Sequence, residues 1–175
     1  MSKKAQSKST LTFEVGQSIV YPAHGVGRVT AIETQTVAGM ELEVYVVSFD
    51  QDKMILRVPT NRAEASGMRA LAGSKLVDDA LKTLGGKARI KRTMWSRRAQ
   101  EYEAKINSGD LISIAEVVRD LHRGDDQPDQ SYSERQLYES ALDRMARELA
   151  AVENIDRDKA MDMLAKSLAK KKQAA

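Results

Sequence analysis

The spacing of hydrophobic residues changes once along the chain. Between about residues 11 and 60 the apolar residues come in short runs rich in Val, Ile, Tyr and Phe, with turn residues between them, which is typical of β-strands. Five strands are predicted, in the runs LTFEV, SIVYP, GRVTAIET, LEVYVVSFD and KMILRVP. The fourth run is apolar on both faces from Leu42 to Phe49, as expected for a strand in the middle of a sheet.

The third run alternates between apolar and polar positions. Val29 and Ala31 are predicted on one face of this strand, and Arg28, Thr30 and Ile32 on the other. Five short strands within about fifty residues predict a small barrel of the SH3 or Tudor type.

Turn residues separate the predicted strands. Ala38-Gly39 and Gln51-Asp52 are predicted hairpin turns. Pro59 is expected to end the last strand, because proline has no amide hydrogen to donate to the sheet. The Gly25-Val26-Gly27 motif is also interpreted as a hairpin turn, since it precedes a strand and not a helix. His24, beside this motif, has no neighbour in sequence that completes a catalytic triad or a metal site.

After about residue 65 the apolar residues recur every three or four positions, as in amphipathic helices. Five helices are predicted, over about residues 74–84, 94–108, 111–123, 134–154 and 157–170. The predicted N-terminal caps are Ser74, Asp110, Ser133 (in a capping box with Gln136) and Asp156. The last helix carries an apolar stripe made of Ala160, Met163, Leu164 and Leu168.

This change of period predicts an α+β protein with two domains. The first is a small Tudor/SH3-like β-barrel, and the second is an all-α helical bundle of about five helices. The predicted division is a disordered basic arm at 1–10, the barrel at 11–63, a linker at 64–73, the helical domain at 74–170 and a tail at 171–175.

Composition then excludes several kinds of chemistry. The chain has 175 residues, no cysteine and only two histidines, which excludes disulfides, thiolate zinc sites, iron–sulfur clusters and cysteine nucleophiles. No apolar run is long enough to span a bilayer, and the polar N-terminus is not a secretory signal. We therefore expect a cytoplasmic protein. His122, near the end of the third predicted helix, is interpreted as a capping or surface residue.

Motifs for nucleotide binding and catalysis are also absent from the sequence. Gly86-Lys87 is followed by Ala88, whereas a phosphate-binding loop requires Ser or Thr at that position. The carboxylates are spread along predicted helix faces as partners of basic residues. We therefore expect a protein that binds a partner, with no enzymatic activity and no cofactor.

Charge is unevenly distributed along a chain whose net charge is only +3. Residues 87–98 read KARIKRTMWSRR, a run with six basic residues, no acid and the only tryptophan. A basic run with an aromatic residue inside it is typical of nucleic-acid binding, although it also fits a solvated helix face. A chain so close to neutral should bind free DNA weakly, because phosphate neutralisation supplies most non-specific affinity.

Trp95 divides these two interpretations. Trp95, Ala99, Tyr102 and Ile106 follow at spacings of four, three and four, so they share one helix face and can form a core stripe. Trp95 also lies in the first predicted turn among arginines, where an indole can stack on a base or enter a base step. The pattern alone leaves both roles open.

Four strings in order resemble the CarD/CdnL family of bacterial RNA polymerase-binding transcription factors. They are FEVGQSIVYPAHGVGRVTAIET and LRVP in the first domain, and WSRR and SGDLISIAEVVRDL in the second. The resemblance covers about residues 11–170, and it implies a Tudor-like domain that docks on the β1 lobe of the RNA polymerase β subunit. The transcription-repair coupling factor contains the same fold, but the helicase motifs of that larger protein are missing here.

The resemblance also implies a helical domain that contacts promoter DNA at the upstream edge of the transcription bubble. A tryptophan of that domain wedges into the minor groove and hinders reannealing, which stabilises the open complex. This role corresponds to Trp95. Arg97 and Arg98 correspond to neighbouring contacts with the DNA backbone, and Lys91 and Arg92 are further DNA-binding candidates.

For polymerase binding, the resemblance implies a contact by Arg57 in the last barrel strand, with Pro59 in the same LRVP string. A second family arginine corresponds to Gln35, which puts that contact in doubt. A basic DNA-contacting position corresponds to Gln100, so one phosphate partner is missing. Lys87 and Arg89, together with Lys91 and Arg92, are candidates to compensate.

The sequence thus predicts a monomeric transcription regulator whose partners are RNA polymerase and promoter DNA, with no membrane and no metal. Its place in the cell would be the nucleoid, through RNA polymerase. A free-standing, non-specific nucleic-acid-binding module is the alternative, and it demands tight, salt-sensitive binding without polymerase. An enzyme with an unrecognised site is the third hypothesis, and it demands a deep pocket with converging carboxylates.

Overall fold

The structure, a computed structural model, describes residues 12–124 and 127–169. The sheet strands are β1 (Ser18–Tyr21), β2 (Gly25–Val37), β3 (Met40–Phe49), β4 (Met54–Pro59) and β5 (Arg69–Ala70). The helices are α1 (Ser74–Leu84), α2 (Trp95–Asn107), α3 (Leu111–Leu121), α4 (Tyr132–Glu153) and α5 (Arg157–Ala169). A sheet followed by five helices confirms the predicted α+β class. The predicted arm at 1–10 and the tail at 171–175 lie outside the described residues.

The sheet is antiparallel throughout, with the strand order β4-β3-β2-β1-β5. Its core is a cluster of Phe13, Ile19, Val29, Tyr45, Val47, Phe49, Val58, Ala63 and Met68. Tyr45 and Val47 are fully buried, as the prediction of β3 as a central strand requires. Burial of such side chains stabilises a fold by roughly 1.5–3 kcal/mol each.

Two strands differ from the sequence prediction. The run LTFEV is not a strand in its described part, because the chain turns at Gly16, where φ is +89°. Phe13 still enters the core, with its ring edge-on to Tyr45 at 5.6 Å between centroids. The fifth strand is instead Arg69–Ala70, within the predicted linker at 64–73, and it pairs with β1.

A β-bulge corrects the predicted alternation of the third run. Val29 and Ala31 pair with consecutive residues of β3, so Thr30 is the extra residue. The Thr30 hydroxyl donates a hydrogen bond to the Val46 carbonyl oxygen at 3.2 Å. Beyond a bulge the strand faces are exchanged, and Ile32 therefore packs against the same core as Val29. The sequence placed these two residues on opposite faces.

The turns agree with the prediction at three of four places. Ala38 and Gly39 form the β2–β3 turn with φ values of 52° and 77°, Gln51-Asp52 lie in the β3–β4 turn, and Pro59 ends β4. The predicted turn at Gly25-Val26-Gly27 is wrong, because the turn occupies residues 22–24 and Gly25 begins β2.

The helices enclose a second core, which α1, α3, α4 and α5 share with Tyr102 and Ile106 of α2. Asp110 and Asp156 are N-terminal caps as predicted, since their carboxylates accept the amide N–H groups of Ser113 and Lys159. Ser74 is not a cap, because Gly73 occupies that position without a side chain.

The predicted capping box of the fourth helix is wrong by two residues. Ser131 caps α4 by accepting the amide N–H of Glu134 at 3.3 Å. Ser133 and Gln136 therefore lie inside the helix. This shift frees the Ser133 hydroxyl for another partner.

Two arginines connect the sheet to the helices. Arg144 of α4 donates to the carbonyl oxygens of Pro22 and Ala23, both at 2.7 Å. Desolvation by burial lowers the pKa of Arg144, against the opposing effect of the Asp143 and Asp52 charges. Arg69 of β5 forms an ion pair with Glu148 of α4. No helix within the described ranges is both long and apolar enough to cross a membrane.

Candidate functional site

The basic run forms the loop between α1 and α2 together with the first turn of α2. Gly85 and Gly86 end α1, and the loop exposes Ile90 and Met94, which are 45% and 73% accessible. The amide N–H of Arg89 donates to the buried Asp120 carboxylate at 3.0 Å. This bond fixes the middle of the loop on α3, while its basic side chains remain on the surface.

Trp95 is the first residue of α2 and is half-buried. Its ring packs against the helical core and lies 6.3 Å from the ring of Tyr102. The predicted stripe is confirmed, because Tyr102 and Ile106 are buried on the same helix. The indole Nε1–H donates a hydrogen bond to the Ser133 hydroxyl oxygen at 3.0 Å. Trp95 is therefore the partly exposed end of a core stripe.

Arg98 is turned toward these aromatic rings. Its guanidinium carbon lies 5.4 Å from the centroid of the Trp95 ring and 5.8 Å from that of Tyr102. Both distances are within the range of a cation–π interaction. One guanidinium nitrogen also donates to the Tyr102 hydroxyl at 3.4 Å. Arg98 thus supports the Trp95 ring within the protein.

The other basic side chains of this surface face solvent. Lys91 pairs with Glu101 at 3.2 Å, and both side chains are largely exposed. An exposed pair of this kind contributes at most about 1 kcal/mol, so Lys91 can exchange its partner readily. Lys87, Arg92 and Arg97 are exposed and form no side-chain hydrogen bond or ion pair with residues 12–124 or 127–169. We call Lys87, Lys91, Arg92, Trp95 and Arg97 the basic surface.

A second surface lies on the sheet. Arg57 and Pro59 of β4 pair with Val46 and Val44 of β3. Gln35 of β2 pairs with Leu42, which lies two residues before Val44 and therefore on the same face of β3. Side chains of directly paired residues share one face of a sheet. The three residues predicted to contact polymerase therefore lie on one face, opposite the buried Tyr45 and Val47.

Arg57 is a basic residue of this face. Its Nε lies 3.7 Å from a carboxylate oxygen of Glu33, and both side chains are about half exposed, at 50% and 48%. Ile55, two residues earlier on β4, is 60% exposed. A loosely held guanidinium beside an exposed apolar side chain suits a protein contact. We call Arg57, Pro59, Ile55 and Gln35 the β4 face.

The two histidines and the carboxylates offer little support for a catalytic or metal site. His24 stacks on Tyr21 at 5.6 Å between ring centroids, and His122 Nδ1 lies 2.9 Å from the Tyr138 hydroxyl. Burial raises the pKa of Tyr138, so this phenol stays neutral as a hydrogen-bond partner. Among residues 12–124 and 127–169, no group of three or more His, Asp or Glu side chains is arranged to hold a metal ion.

Comparison with protein families identifies the family of the two domains that carry these surfaces. Residues 13–72 match the family model described as the CarD-like/TRCF RID domain. Residues 79–165 match the model described as CarD, C-terminal domain. The chain belongs to the CarD family. The RID domain is an RNA polymerase-interacting domain, so this CarD-family protein regulates transcription through RNA polymerase.

A curated relative supports the same assignment. The CarD-family chain is 27% identical over 143 residues to the protein of Bacillus subtilis (strain 168) named "Putative transcription factor YdeB". The match covers 82% of this chain and 94% of the relative. The two proteins are therefore similar over nearly their full lengths.

The two surfaces fall in different parts of the CarD-family chain. The β4 face lies within the RID match, and the basic surface lies within the match to the C-terminal domain. The sequence did not predict the bond between Trp95 and Ser133, the contacts of Arg144 or the Arg69–Glu148 pair. Each acts across more than 35 residues of sequence, and spacing along one element carries no signal for such a contact.

Proposed function

We propose that this CarD-family protein docks on the β1 lobe of the RNA polymerase β subunit through its β4 face. The helical part then places Trp95 in the minor groove at the upstream edge of the transcription bubble. There the ring hinders reannealing, and the open complex is stabilised. The observation that supports this most directly is a half-buried indole, held by its own protein and close in sequence to Arg92 and Arg97, two cations that form no ion pair with any described residue.

A wedge must be rigid to act on a base step. A ring that is free to rotate loses conformational entropy when it stacks, and this loss offsets part of the stacking energy. The Trp95 ring is packed on Tyr102 and bonded to Ser133 before DNA is present. Its stacking on a base, worth roughly 1–3 kcal/mol, is therefore little reduced by a loss of side-chain entropy.

The charges around Trp95 fit a contact with a DNA backbone. Lys87, Arg92 and Arg97 have no partner among the described side chains. Phosphate contacts position a protein on the duplex without selecting its sequence. The exposed apolar side chains of Ile90 and Met94 lie in the loop that leads into this turn, and side chains of this kind enter minor grooves beside kinked base steps.

Tethering explains how a nearly neutral protein acts on DNA. The net charge of +3 is too small for tight binding to free DNA. Docking on polymerase turns the DNA contact into an intramolecular one, with an effective concentration in the millimolar range for short connections. If the wedge contact forms only in the open complex, it shifts the closed–open equilibrium by about 5–150-fold. This mechanism requires no nucleotide hydrolysis.

The deciding experiment is the half-life of a promoter open complex under competitor challenge. The protein should lengthen this half-life, and Trp95→Ala should remove the effect while polymerase still binds. Trp95→Phe is the matched control, because it keeps an aromatic ring on the same stripe and should retain part of the effect. A Trp95→Ala variant that is folded and fully active would overturn the proposal. Circular dichroism checks the folding, since Trp95 also packs on the helical core.

A further inference from the structure

The indole of Trp95 has one polar atom, and that atom is already bonded within the protein. Nε1–H donates to the Ser133 hydroxyl at 3.0 Å, from the start of α2 to the first turn of α4. The two residues are 38 positions apart in sequence. Because the bond comes from a different helix, it fixes the rotation of the indole relative to the whole bundle.

Arg98 and Tyr102 act on the ring itself. The Arg98 guanidinium lies within cation–π distance of both rings, and the Tyr102 ring is 6.3 Å from the indole. Tyr102 is only 6% exposed, so it cannot move away without opening the core. The ring contacts limit where the indole lies, and the bond to Ser133 limits how its N–H edge is turned.

A bonded N–H changes what the ring does in a minor groove. Base pairs of both kinds present hydrogen-bond acceptors there, and a G·C pair adds the guanine N2 amino donor between them. An indole N–H free of its protein partner would seek these acceptors, and it would remain unsatisfied where none is in reach. An N–H that keeps its bond to Ser133 neither bonds to the bases nor remains unsatisfied. The ring then acts through stacking alone.

We propose that Ser133 is a positioning residue for Trp95. Its hydroxyl sets the orientation of the indole and withholds the N–H from base acceptors, so that the wedge is tolerant of sequence. This inference rests on the proposed function of Trp95. It adds a role for α4, which the sequence did not connect with DNA.

The test uses the fact that Trp95 is the only tryptophan of the chain. Its fluorescence therefore reports on this ring alone, in the intact 175-residue chain and without a label. Ser133→Ala removes the hydroxyl, and Ser133→Thr restores one. Ser140→Ala is the matched control, because Ser140 is an exposed residue of the same helix with no side-chain hydrogen bond to a described residue.

Two quantities are measured for each variant. Acrylamide quenching and anisotropy decay report on the indole in the free protein, and open-complex half-life reports on the wedge. Ser133→Ala should increase quenching, add fast local motion and shorten the half-life about fivefold, in line with one neutral hydrogen bond. The shortening should also differ between promoters with A·T and with G·C at the upstream edge. Ser133→Thr and Ser140→Ala should behave like the unmodified protein.

The outcomes separate this inference from the proposed function. Fluorescence of Ser133→Ala equal to that of Ser140→Ala would show that the hydroxyl does not hold the ring, and the inference would fall. A changed fluorescence with an unchanged half-life would also overturn it, provided that Trp95→Ala shortens the half-life. If Trp95→Ala itself has no effect, the proposed function fails, and the positioning role of Ser133 fails with it.

Discussion

Arg69 and Glu148 form a two-pronged ion pair that joins the sheet to helix α4. The two terminal nitrogens of Arg69 lie 2.8 and 2.7 Å from the carboxylate oxygens of Glu148, which is only 3% exposed. The amide N–H of Ala72 donates to the same carboxylate at 2.9 Å, and Arg69 Nε donates to the Gly109 carbonyl at 2.8 Å. The sheet and the helices therefore share one hydrogen-bonded group, in which the carboxylate is buried and the Arg69 side chain is 27% exposed.

Removing one member of this pair should destabilise the protein strongly. Arg69→Ala leaves the Glu148 carboxylate buried without its counter-ion, which costs about 3–5 kcal/mol of unfolding free energy. Urea denaturation, followed by circular dichroism, measures the change.

A matched exposed pair provides the control for this measurement. Lys91→Ala breaks the exposed pair with Glu101 and should cost at most about 1 kcal/mol. Replacing both partners, as Arg69→Met with Glu148→Leu, should recover only part of the loss, because the Ala72 amide and the Gly109 carbonyl then lose their partners. An Arg69→Ala variant as stable as Lys91→Ala would contradict the role given to the buried pair.

Gly27 allows a second test of packing in the sheet. A Cβ atom added there would lie 2.7 Å from the Phe49 ring and 2.9 Å from Val47, both of them in the core. Gly27→Ala should therefore cost about 1–3 kcal/mol through overpacking. Gly73→Ser is the control, because a side chain at Gly73 meets open space and a serine can cap α1. Equal thermal midpoints for the two variants would refute the close approach.

Polymerase docking can be tested by reversing one charge. Arg57→Glu places two acidic side chains side by side, since Glu33 is the present partner of Arg57. We expect the variant to remain folded and to lose co-purification with RNA polymerase. Lys53→Glu makes the same change of charge in the turn at the other end of β4 and should keep binding. Equal recovery of polymerase by both variants would remove Arg57 from the contact.

Binding to free DNA separates the tethered regulator from a free-standing nucleic-acid module. Lys87, Arg92 and Arg97 of the basic surface form no ion pair within the described part of the chain. If these three neutralise phosphates, the logarithm of the binding constant should fall with the logarithm of salt concentration with a slope of about −3. Affinity should also be low at physiological salt. Tight binding with a much steeper slope in a gel-shift titration would favour the free-standing module.

The sequence predicted the architecture well because both periodicities are local. Short apolar runs bounded by turn residues predicted β1 to β4, and the carboxylates of Asp110 and Asp156 predicted two caps that depend only on residues three positions away. The β2–β3 turn at Ala38 and Gly39 has the same local origin, since both residues adopt positive φ.

The predictions failed where a local sequence pattern fits two structures, or where a partner distant in sequence determines the structure. Ser131 and Ser133 both precede a residue that fits a capping box, and only the folded chain shows that the first one caps α4. Nothing in the alternation around Thr30 distinguishes a regular strand from a bulge. The strand at Arg69–Ala70 is too short to show a periodicity in sequence, and it forms only because it pairs with β1.

Helix α4 contacts both the indole and the sheet, through Ser133 near its start and Glu148 about 22 Å further along its axis. Loops accept insertions and deletions readily, but this helix has no such freedom. Deleting a single residue between these positions would rotate one end of α4 by about 100° relative to the other. The helix could then keep only one of its two contacts, either the hydrogen bond with Trp95 or the ion pair with Arg69. The length of this segment, and not merely its composition, is therefore part of what the sequence must preserve.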